Sequence, residues 1–536
     1  MTPFQEKIIK FIGKSENPSA NEILLRLLTH VDSDLRKIAF NTIYLKKSPD
    51  LYVLFFKHFT QDEEFWSKPD VVPSERLAKI VDAALRDPSG RYRHDAAETA
   101  MKYKLYEILP TIIVSLESYD QQHVAMMRKV LLHLSNSFFD DLMEASPVER
   151  RNFDRKREWF VSQLDSPIKR YSVSACDEAI QSLLIVGKKD FDLMKLVAGD
   201  SRSAAGKKFA EYLRTGTHRS FLRVLLNYVD DPNSPGTMDE IISERSDALF
   251  VRKLLEYVGL DPNHDFRTAL KRFKDFAWFR ADNPELPNLV AGFERNAVQL
   301  LQSVSFPKER VLPLYRFFLE RESVDARRAA AESVRWLVGE EINHLLLEFV
   351  NNSDPQTAAI LFRLLKSRNV SGLDDILPSM IERPDPEIRQ AIFDTMPDLR
   401  AETFASRVSQ MTPMTAQKTG RYVRLIDSNT YKKIDDDIQS PIPIRRAVAC
   451  KVAMYTDYTQ EFLPQIIEIA RHDEMSVRLS AITALSTVLV KDALAALKSI
   501  ENDRSTDIRD AVRIAVQNWA AAYHAMKEQL RPAAAQ

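Results

Sequence analysis

The sequence predicts an all-α protein built as a solenoid of stacked helix pairs, and two observations support this prediction. A short pattern containing an arginine recurs along the chain, and apolar residues follow four and eight positions after its leading residue. That spacing is the stripe of an amphipathic helix. Only 12 glycines occur among 536 residues, well below the roughly 7 per cent of average usage, so tight hairpins and phosphate-binding loops lack the residue they need.

The C-terminal copies of the pattern set the repeat length. They read Ala326-Arg327, Ile388-Arg389, Ile444-Arg445, Val477-Arg478 and Ile508-Arg509. Their arginines are 62, 56, 33 and 31 residues apart, so the first two intervals are each close to a doubled unit. Missing half-steps begin at Asp354-Pro355 and, more weakly, near Thr412-Pro413. A fixed period of this length with helical texture indicates stacked helix pairs.

The N-terminal third repeats the pattern at wider spacing. Asp34-Leu35-Arg36 and Tyr92-Arg93 carry it, and Ile168-Lys169, followed by Ser172 and Cys176, forms a degenerate copy. Between these copies the apolar spacing and the positions of proline predict further helices. They are expected at residues 21–30, 33–46, 50–59, 74–86, 106–116 and 121–134.

The middle of the chain, residues 187–322, contains no copy of the pattern but is still rich in helical runs. These runs are expected at 221–228, 247–257, 266–279, 289–304 and 311–321. Diverged repeats explain the segment, and a separate helical insertion is the alternative. The predicted organisation is therefore N-terminal repeats (1–186), an irregular middle (187–322), a C-terminal array (323–526) and a flexible tail (527–536).

The recurring arginine has a physical explanation in a stacked array. We expect its guanidinium to bond an acidic residue of the preceding turn and the carbonyls that end a neighbouring unit. Asp503 stands six residues before Arg509, and Asp473 stands five before Arg478. Such a ladder is structural. Its predicted members are Arg36, Arg93, Arg327, Arg389, Arg445, Arg478 and Arg509.

Three C-terminal segments resemble HEAT repeats of the short kind found in the phycobilin lyase-related group. They are 326–334 (ARRAAAESV), 477–485 (VRLSAITAL) and 508–516 (IRDAVRIAV). The resemblance is close over the C-terminal array and loose over the N-terminal third. It implies an α-α superhelix of the HEAT/armadillo type whose second helices line a concave, partner-binding surface. The helices that contain residues 376–380 and 462–467 are then candidates for that surface.

The residues that catalysis requires are sparse. The ten histidines include no HExxH pattern, the two cysteines, Cys176 and Cys450, lie 274 positions apart, and no Gly-x-Gly occurs. Zinc hydrolysis, a disulfide framework and the usual nucleotide-binding fingerprints are therefore unsupported. Iron enzymes built on this repeat, resembling deoxyhypusine hydroxylase, carry several His-Glu dipeptides, and this chain has none. We expect no enzyme, no metal and no cofactor.

One segment suggests a nucleic-acid surface. Arg267, Lys271, Lys274 and Trp278 would share one face of a helix over 266–280, with apolar residues on the other face. Basic side chains beside an aromatic ring can follow a phosphate backbone. A net charge of −1 weakens that case, since nucleic-acid-binding domains are usually basic.

The most economical functional prediction is a non-enzymatic scaffold or adaptor that binds another protein. A nucleic-acid-binding protein that uses the 266–280 helix is the alternative, and a regulatory or lyase-like subunit is the third. The N-terminus has no apolar signal region and no run of 18 apolar residues occurs. We therefore expect a cytoplasmic protein with no membrane contact.

Overall fold

The computed structural model describes residues 3–529, and side chains from residue 6 to residue 527. Within these residues all regular structure is helical, and no strand is present. The chain divides into two compact units, Met1–Pro307 and Lys308–Gln536, and each unit has its own set of packed helices.

The first unit contains twenty-one α-helices within its described residues. They are α1 (Pro3–Lys14), α2 (Pro18–Leu27), α3 (Ser33–Leu45), α4 (Pro49–Gln61), α5 (Glu63–Trp66), α6 (Ser74–Arg86), α7 (Arg93–Lys102), α8 (Leu109–Ser115), α9 (Gln121–Glu144), α10 (Pro147–Gln163), α11 (Asp165–Lys169), α12 (Tyr171–Ser174), α13 (Asp177–Val186), α14 (Asp192–Gly199), α15 (Ala204–Thr215), α16 (Arg219–Val229), α17 (Gly236–Glu244), α18 (Ala248–Val258), α19 (His264–Leu270), α20 (Leu286–Val290) and α21 (Glu294–Ser303).

The second unit continues with α-helices of similar length. They are α22 (Lys308–Leu319), α23 (Val324–Ser333), α24 (Glu340–Val350), α25 (Pro355–Ser367), α26 (Leu373–Glu382), α27 (Pro386–Thr395), α28 (Ala401–Arg407), α29 (Pro413–Ile426), α30 (Thr430–Ile438), α31 (Pro443–Tyr455), α32 (Leu463–His472), α33 (Met475–Leu485), α34 (Lys491–Ser499) and α35 (Thr506–Gln529). Short 3₁₀ turns lie at Tyr106–Ile108, Val334–Trp336, Pro397–Leu399 and Val408–Gln410.

The packing within each unit has the form of a helical repeat. In the second unit α23 packs on α25 and α25 on α27, while α29 packs on α31, α31 on α33 and α33 on α35. In the first unit α4 packs on α6, α7 on α9, α9 on α13 and α13 on α15. Neighbouring helices also pack on each other, as α24 does on α25 and α32 on α33, and the two kinds of contact together are the arrangement of stacked helix pairs. The predicted all-α, HEAT-type repeat fold is confirmed.

The leading apolar residue of the pattern is buried in four of the five C-terminal copies. Ala326, Ile388, Val477 and Ile508 are fully buried within the second unit. The fifth copy is displaced by one residue, because Ile444 is 71% exposed while Ala449, Cys450, Val452 and Ala453 supply the buried face of α31. The sequence interpretation of Ile444-Arg445 was therefore wrong by one position.

Several predicted helices have different bounds. The helix predicted at 121–134 extends to Glu144, and the region 289–304 contains two helices, α20 and α21, separated by a turn. The degenerate copy at Ile168-Lys169 is not one helix, because Ala175 adopts a left-handed conformation with φ of 41° at the end of α12. Cys176 is buried at the start of α13, as expected for a core cysteine.

The predicted boundaries at 186/187 and 322/323 remain a proposal, and α35 continues into the predicted tail as far as Gln529. The rest of that tail lies outside the described residues. In the middle segment α15 packs on α17 and α16 on α18, and the buried Arg245 donates to the carbonyls of Leu213 (2.6 Å) and Gly216 (2.7 Å). This continuity favours diverged repeats over a separate insertion.

Candidate functional site

Within each compact unit, the recurring arginines link one helical repeat to the next repeat along the chain. In the second unit Arg327 Nε lies 2.8 Å from Asp354 Oδ2, and its Nη1 donates to the carbonyls of Arg321 and Glu322. Arg478 contacts Asp503 and donates through Nε to the Ala470 carbonyl at 2.9 Å. Each of these arginines therefore satisfies carbonyls at one turn and a carboxylate of the following turn, which is the charge-assisted arrangement that stabilises such junctions.

Arginines of the first unit make the same kinds of contact, to a carboxylate of the following repeat or to a carbonyl of the preceding turn. Arg36 Nη2 lies 2.6 Å from Asp62 Oδ2 and its guanidinium covers the Phe65 ring at 3.8 Å. Arg93 Nη2 donates to the Asp87 carbonyl at 3.2 Å, and its Nη1 lies 3.8 Å from Asp120 Oδ2.

The predicted direction of the ladder was wrong. We expected each arginine to bond the acid of the preceding turn, but the acid lies one repeat further along the chain. Asp354 shows how an acid in the following repeat takes this place. Its Oδ1 caps α25 by accepting from Thr357 N at 3.1 Å, and its Oδ2 accepts a hydrogen bond from Arg327. An aspartate at a helix start thus serves its own helix and the neighbouring repeat at once.

Three of the predicted arginines depart from this scheme. Arg445 is exposed and makes no ion pair with any described residue, because its neighbour Arg446 occupies the ladder position. Arg446 holds Asp473 through two bonds of 2.6 and 2.7 Å and donates to the Ser440 carbonyl at 2.7 Å. Arg389 bonds the Arg383 carbonyl at 3.2 Å and lacks a carboxylate among the described residues.

Arg389 and Arg509 depart from the scheme for different reasons. Thr412 caps α29 where the other copies have an aspartate, so the helix start that would face Arg389 carries no charge. No further repeat follows the helix of Arg509 among the described residues, and Arg509 bonds the carbonyls of Asp503 (2.8 Å) and Arg504 (3.1 Å).

The predicted basic and aromatic helix face at 266–280 does not form. The helix α19 ends at Leu270, and the chain then runs irregularly through Lys271, Lys274 and Trp278. Trp278 is fully buried and stacks on Phe279 with ring centroids 4.7 Å apart. Arg267 is engaged by the Pro262 carbonyl at 2.8 Å and by Asp261 at 3.0 Å.

Burial of aromatic rings explains why the helix ends there. Four large rings, Phe273, Phe276, Trp278 and Phe279, all lie in the core of the first unit, and one helix face cannot bury residues at this spacing. The main chain is held by other segments instead, since Ala277 N donates to the Ser243 carbonyl and Ser305 N to the Phe273 carbonyl. Lys271 and Lys274 remain exposed, but Trp278, the aromatic residue that the nucleic-acid hypothesis placed beside them, is buried.

A solvent-open cavity of about 760 Å³ lies between α7, α9 and the loop before α7. We call it the α7–α9 groove. Its lining consists of Ser89, Gly90, Arg91, Arg93, His94, Ala97, Glu98, Met101, Asp120, Gln122, His123, Ala125, Met126 and Lys129. Its volume is in the range of ligand-binding cavities in proteins.

Charged side chains surround this groove, and they differ in how they are paired. Asp120 caps α9 by accepting from Gln122 N (3.1 Å) and His123 N (3.2 Å) and lies near Arg93. Glu98 lies 3.4 Å from His94 Nε2. Arg91 and Lys129 are exposed, and neither forms an ion pair within residues 3–529. The Arg91 guanidinium lies 5.4 Å from the centroid of the Tyr92 ring, and the groove presents both cations to solvent without a carboxylate partner.

His123 is the least expected member of the lining. It is 7% exposed, and its Nδ1 is buried without a hydrogen-bond partner among the described residues. Burial, and secondarily the charge of Arg93, lowers the pKa of His123, while Asp120 acts in the opposite direction. Sequence reasoning missed this residue, although a histidine that shares the buried face of α9 with Val124 and Met127 was a signal.

Neither cysteine has the environment of a nucleophile. Burial raises the pKa of the Cys176 thiol to about 11 and that of Cys450 to about 12, whereas reactive thiols have lowered values. In the part of the chain that the structure describes, no three His, Cys, Asp or Glu side chains converge as metal ligands would. Within residues 3–529, none of the helices combines the length and apolar content needed to cross a membrane.

The two helices that the sequence predicts to line a partner surface, α26 and α32, expose polar residues. On α26 the exposed positions are Asp374, Asp375, Ser379 and Glu382, and on α32 they include Pro464, Gln465 and Glu468. Apart from Pro464, the apolar residues of both segments are buried or half-buried in the second unit. Their role in partner binding stays a prediction.

Known proteins resemble this chain only weakly. No protein-family model matches the chain, and no curated protein matches its sequence. The crystal structure of She4p aligns with 9% identity over 96% of this chain and 82% of that one, with a TM-score of 0.25. The karyopherin Kap121p, bound to the extreme C-terminus of the protein phosphatase Cdc14p, aligns with 11% identity over 98% and 79% of the two chains, with a TM-score of 0.22.

An engineered protein aligns with 12% identity over 93% of this chain and 98% of that one, with a TM-score of 0.18. In a further Kap121p structure the alignment spans 54% of that chain. Because these similarities are low, the fold assignment rests on the packing within the chain itself, which is that of stacked helix pairs.

Proposed function

We propose that this protein is a non-enzymatic scaffold that binds a segment of another protein in the α7–α9 groove. The observation that carries the proposal is the groove itself, an open cavity of about 760 Å³ whose rim holds the unpaired cations Arg91 and Lys129. The ladder arginines, by contrast, are bonded within the chain. Other exposed cations, among them Arg155 and Lys156, also lack an ion pair with a described residue, so the position of Arg91 and Lys129 at the rim of a cavity is what supports the proposal.

The composition of the groove favours a polypeptide over a nucleic acid. Among the described residues that line it, no phenylalanine, tyrosine or tryptophan is available to stack on a base. Glu98 and Asp120 would also repel a continuous phosphate backbone. Met101 and Met126 supply an adaptable apolar surface of the kind that accommodates side chains of a bound peptide.

Charge reversal at the rim tests this proposal. The double variant R91E/K129E changes two exposed residues, so its melting curve should match that of the unaltered protein. The full chain, tagged and recovered from its native cell, should carry a protein partner that the double variant loses. That partner is then purified and its affinity for both proteins is measured by calorimetry.

A matched control makes the result specific. Arg155 and Lys156 are exposed basic residues on α10 of the same unit, and R155E/K156E makes the same change in charge away from the groove. The control should bind the partner as the unaltered protein does. Unchanged affinity of R91E/K129E for the purified partner would contradict the proposal, as would tight and salt-dependent binding of nucleic acid that K271E/K274E abolishes.

A further inference from the structure

The helix α10 is fixed in the fold and presents one face to solvent. A capping box closes its start, where Ser146 Oγ accepts from Glu149 N and the Glu149 carboxylate accepts from Ser146 N at 2.9 Å. Its buried face is held by the ring of Phe160 in the core and by Arg157, which donates to the Gly187 carbonyl at 2.6 Å. The direction of the exposed face is therefore set before any ligand binds, which lowers the cost of binding.

The exposed face combines cations with an aromatic ring. Arg151, Arg155 and Trp159 are exposed and follow one another at intervals of four residues. They therefore lie on one side of the helix, about 6 Å apart along its axis. Lys156 is exposed beside Arg155. We call these three cations and Trp159 the α10 surface. Trp159 is 38% exposed, so its ring is accessible at the end of the basic row.

The acidic residues of α10 are mostly engaged within the fold, whereas the cations of the α10 surface are not. Glu149 belongs to the capping box, and Asp154 lies 2.5 Å from Lys188 Nζ, so Glu158 is the carboxylate of the helix that stays exposed without such a partner. The three cations of the α10 surface form neither an ion pair nor a side-chain hydrogen bond with any described residue. The helix carries five basic and three acidic residues, which gives a net charge of +2 in a chain whose net charge is −1. Its exposed face therefore attracts an anionic ligand.

An accessible indole beside arginines favours nucleic acid among the anionic ligands. Aromatic rings stack on the bases of single strands while cations follow the backbone, and a guanidinium binds phosphate through two parallel hydrogen bonds. The bases of a duplex are already stacked on one another, so the ring favours a single strand. A lipid surface requires a broad apolar face. The large apolar residues exposed on α10, Val148 and Trp159, are eleven residues apart, or about 16 Å along the axis.

We propose that the α10 surface binds single-stranded nucleic acid, with its three cations on the phosphates and a base stacked on Trp159. The inference goes beyond the proposed function and does not depend on it, since no residue of α10 lines the α7–α9 groove. Four side chains on one helix read no base edges. The binding is therefore sequence-independent and weakens steeply with salt.

Fluorescence anisotropy of the full chain with a labelled oligothymidylate of about 15 nucleotides tests the inference. R155E/K156E should bind at least about tenfold more weakly at about 50 mM salt. The slope of log K against log salt should also shrink by about 1.4, since each lost phosphate contact on a single strand removes about 0.7. R91E/K129E makes the same change in charge at the α7–α9 groove and should bind the strand as the unaltered protein does. Equal losses in the two variants would reduce the effect to net charge and overturn the inference.

The ring of Trp159 gives a second test, because stacking does not depend on charge. Trp159→Ala should lose about 5- to 100-fold in affinity, and Trp159→Phe, which keeps a ring and guards against misfolding of the alanine variant, should recover most of the loss. Trp336→Ala makes the matched change at an exposed tryptophan of the second unit and should lose nothing. Unchanged affinity in Trp159→Ala, or an equal loss in Trp159→Phe, would contradict stacking on this ring.

Other anions decide what the surface recognises. A duplex of the same length, vesicles of phosphatidylcholine and phosphatidylserine, and poly-glutamate should all bind more weakly than the single strand. If one of them binds as tightly and R155E/K156E abolishes that binding, the surface recognises a duplex, a membrane or an acidic protein, and the inference is wrong.

The same two variants separate this inference from the proposed function. R155E/K156E should keep the protein partner and lose the oligonucleotide, and R91E/K129E should do the reverse. Loss of the oligonucleotide from R91E/K129E alone would place the nucleic acid in the groove and contradict both proposals. If R155E/K156E binds the oligonucleotide unchanged while R91E/K129E loses the partner, only the inference about α10 falls.

Discussion

Arg446→Ala, paired with Arg445→Ala, separates the true ladder arginine from its exposed neighbour. Arg446 makes two bonds to Asp473 at 2.6 and 2.7 Å and one to the Ser440 carbonyl at 2.7 Å, and only 18% of its side chain and 10% of that of Asp473 are exposed. Hydrogen bonds to charged groups contribute about 1.5–3 kcal/mol each when partly buried. Asp473 keeps a bond from Glu474 N at 2.7 Å, which limits the penalty.

We therefore expect Arg446→Ala to lower the free energy of unfolding by about 2–3 kcal/mol and Arg445→Ala to change it by less than about 0.5 kcal/mol. Urea unfolding followed by circular dichroism measures both. For a unit of this size the loss corresponds to a fall in melting temperature of about 4–12 °C. Asp473→Asn should lose a similar amount, and the Arg446–Asp473 double-mutant cycle should give a coupling of about 1–3 kcal/mol. Equal effects of the two arginine substitutions would refute the assignment of the ladder.

Three other outcomes follow from the structure. Gly420→Ala should lower the free energy of unfolding by about 1–3 kcal/mol, because the added methyl would lie 2.6 Å from the carbonyl carbon of Tyr455 in α31. The added methyl of Gly199→Ala meets nothing within 4 Å, so this control should be neutral or slightly stabilising in the same urea assay. The hydrogen bond from Arg446 lowers the pKa of Asp473. The ionised form of Asp473 therefore stabilises the fold above about pH 4, and this contribution disappears as the pH falls through the folded pKa. The stability difference between the unaltered protein and Arg446→Ala should shrink as the pH is lowered from about 7 to about 3. Cys176 and Cys450, both buried with raised pKa values, should resist a thiol reagent in the folded protein and react after unfolding, whereas rapid labelling of either in native buffer would contradict their core positions.

The sequence predicted the fold because the apolar stripe of a helix is a local signal. Ala326, Val477 and Ile508 begin their stripes where the pattern placed them, and all three are buried. The phase of α31 was predicted wrongly because Arg445 and Arg446 are adjacent and either one fits the letters of the pattern. Burial of Cys450 and Ala453 decides between them, and that burial depends on the neighbouring repeats.

The region around Trp278 shows the limit of periodicity. Its apolar residues match a helical spacing over 266–277, but the large rings of Phe273, Phe276 and Trp278 are buried together in the core of the first unit. Packing of these rings overrides the local preference for helix, and it cannot be inferred from spacing alone. The same is true of the α7–α9 groove, whose residues come from two helices and the loop before α7, and are joined only by the fold.

Direct cross-linking in the groove tests the protein-binding proposal most directly. Ala125 is exposed and lines the groove, so a photoreactive amino acid at this position should capture whatever occupies it in the native cell. The same group at Glu158, exposed on α10, serves as the control. We predict a cross-linked protein at Ala125 that is absent from Glu158 and disappears when R91E/K129E is added. A cross-link to nucleic acid at Ala125, or a protein cross-link that R91E/K129E leaves unchanged, would contradict the proposal.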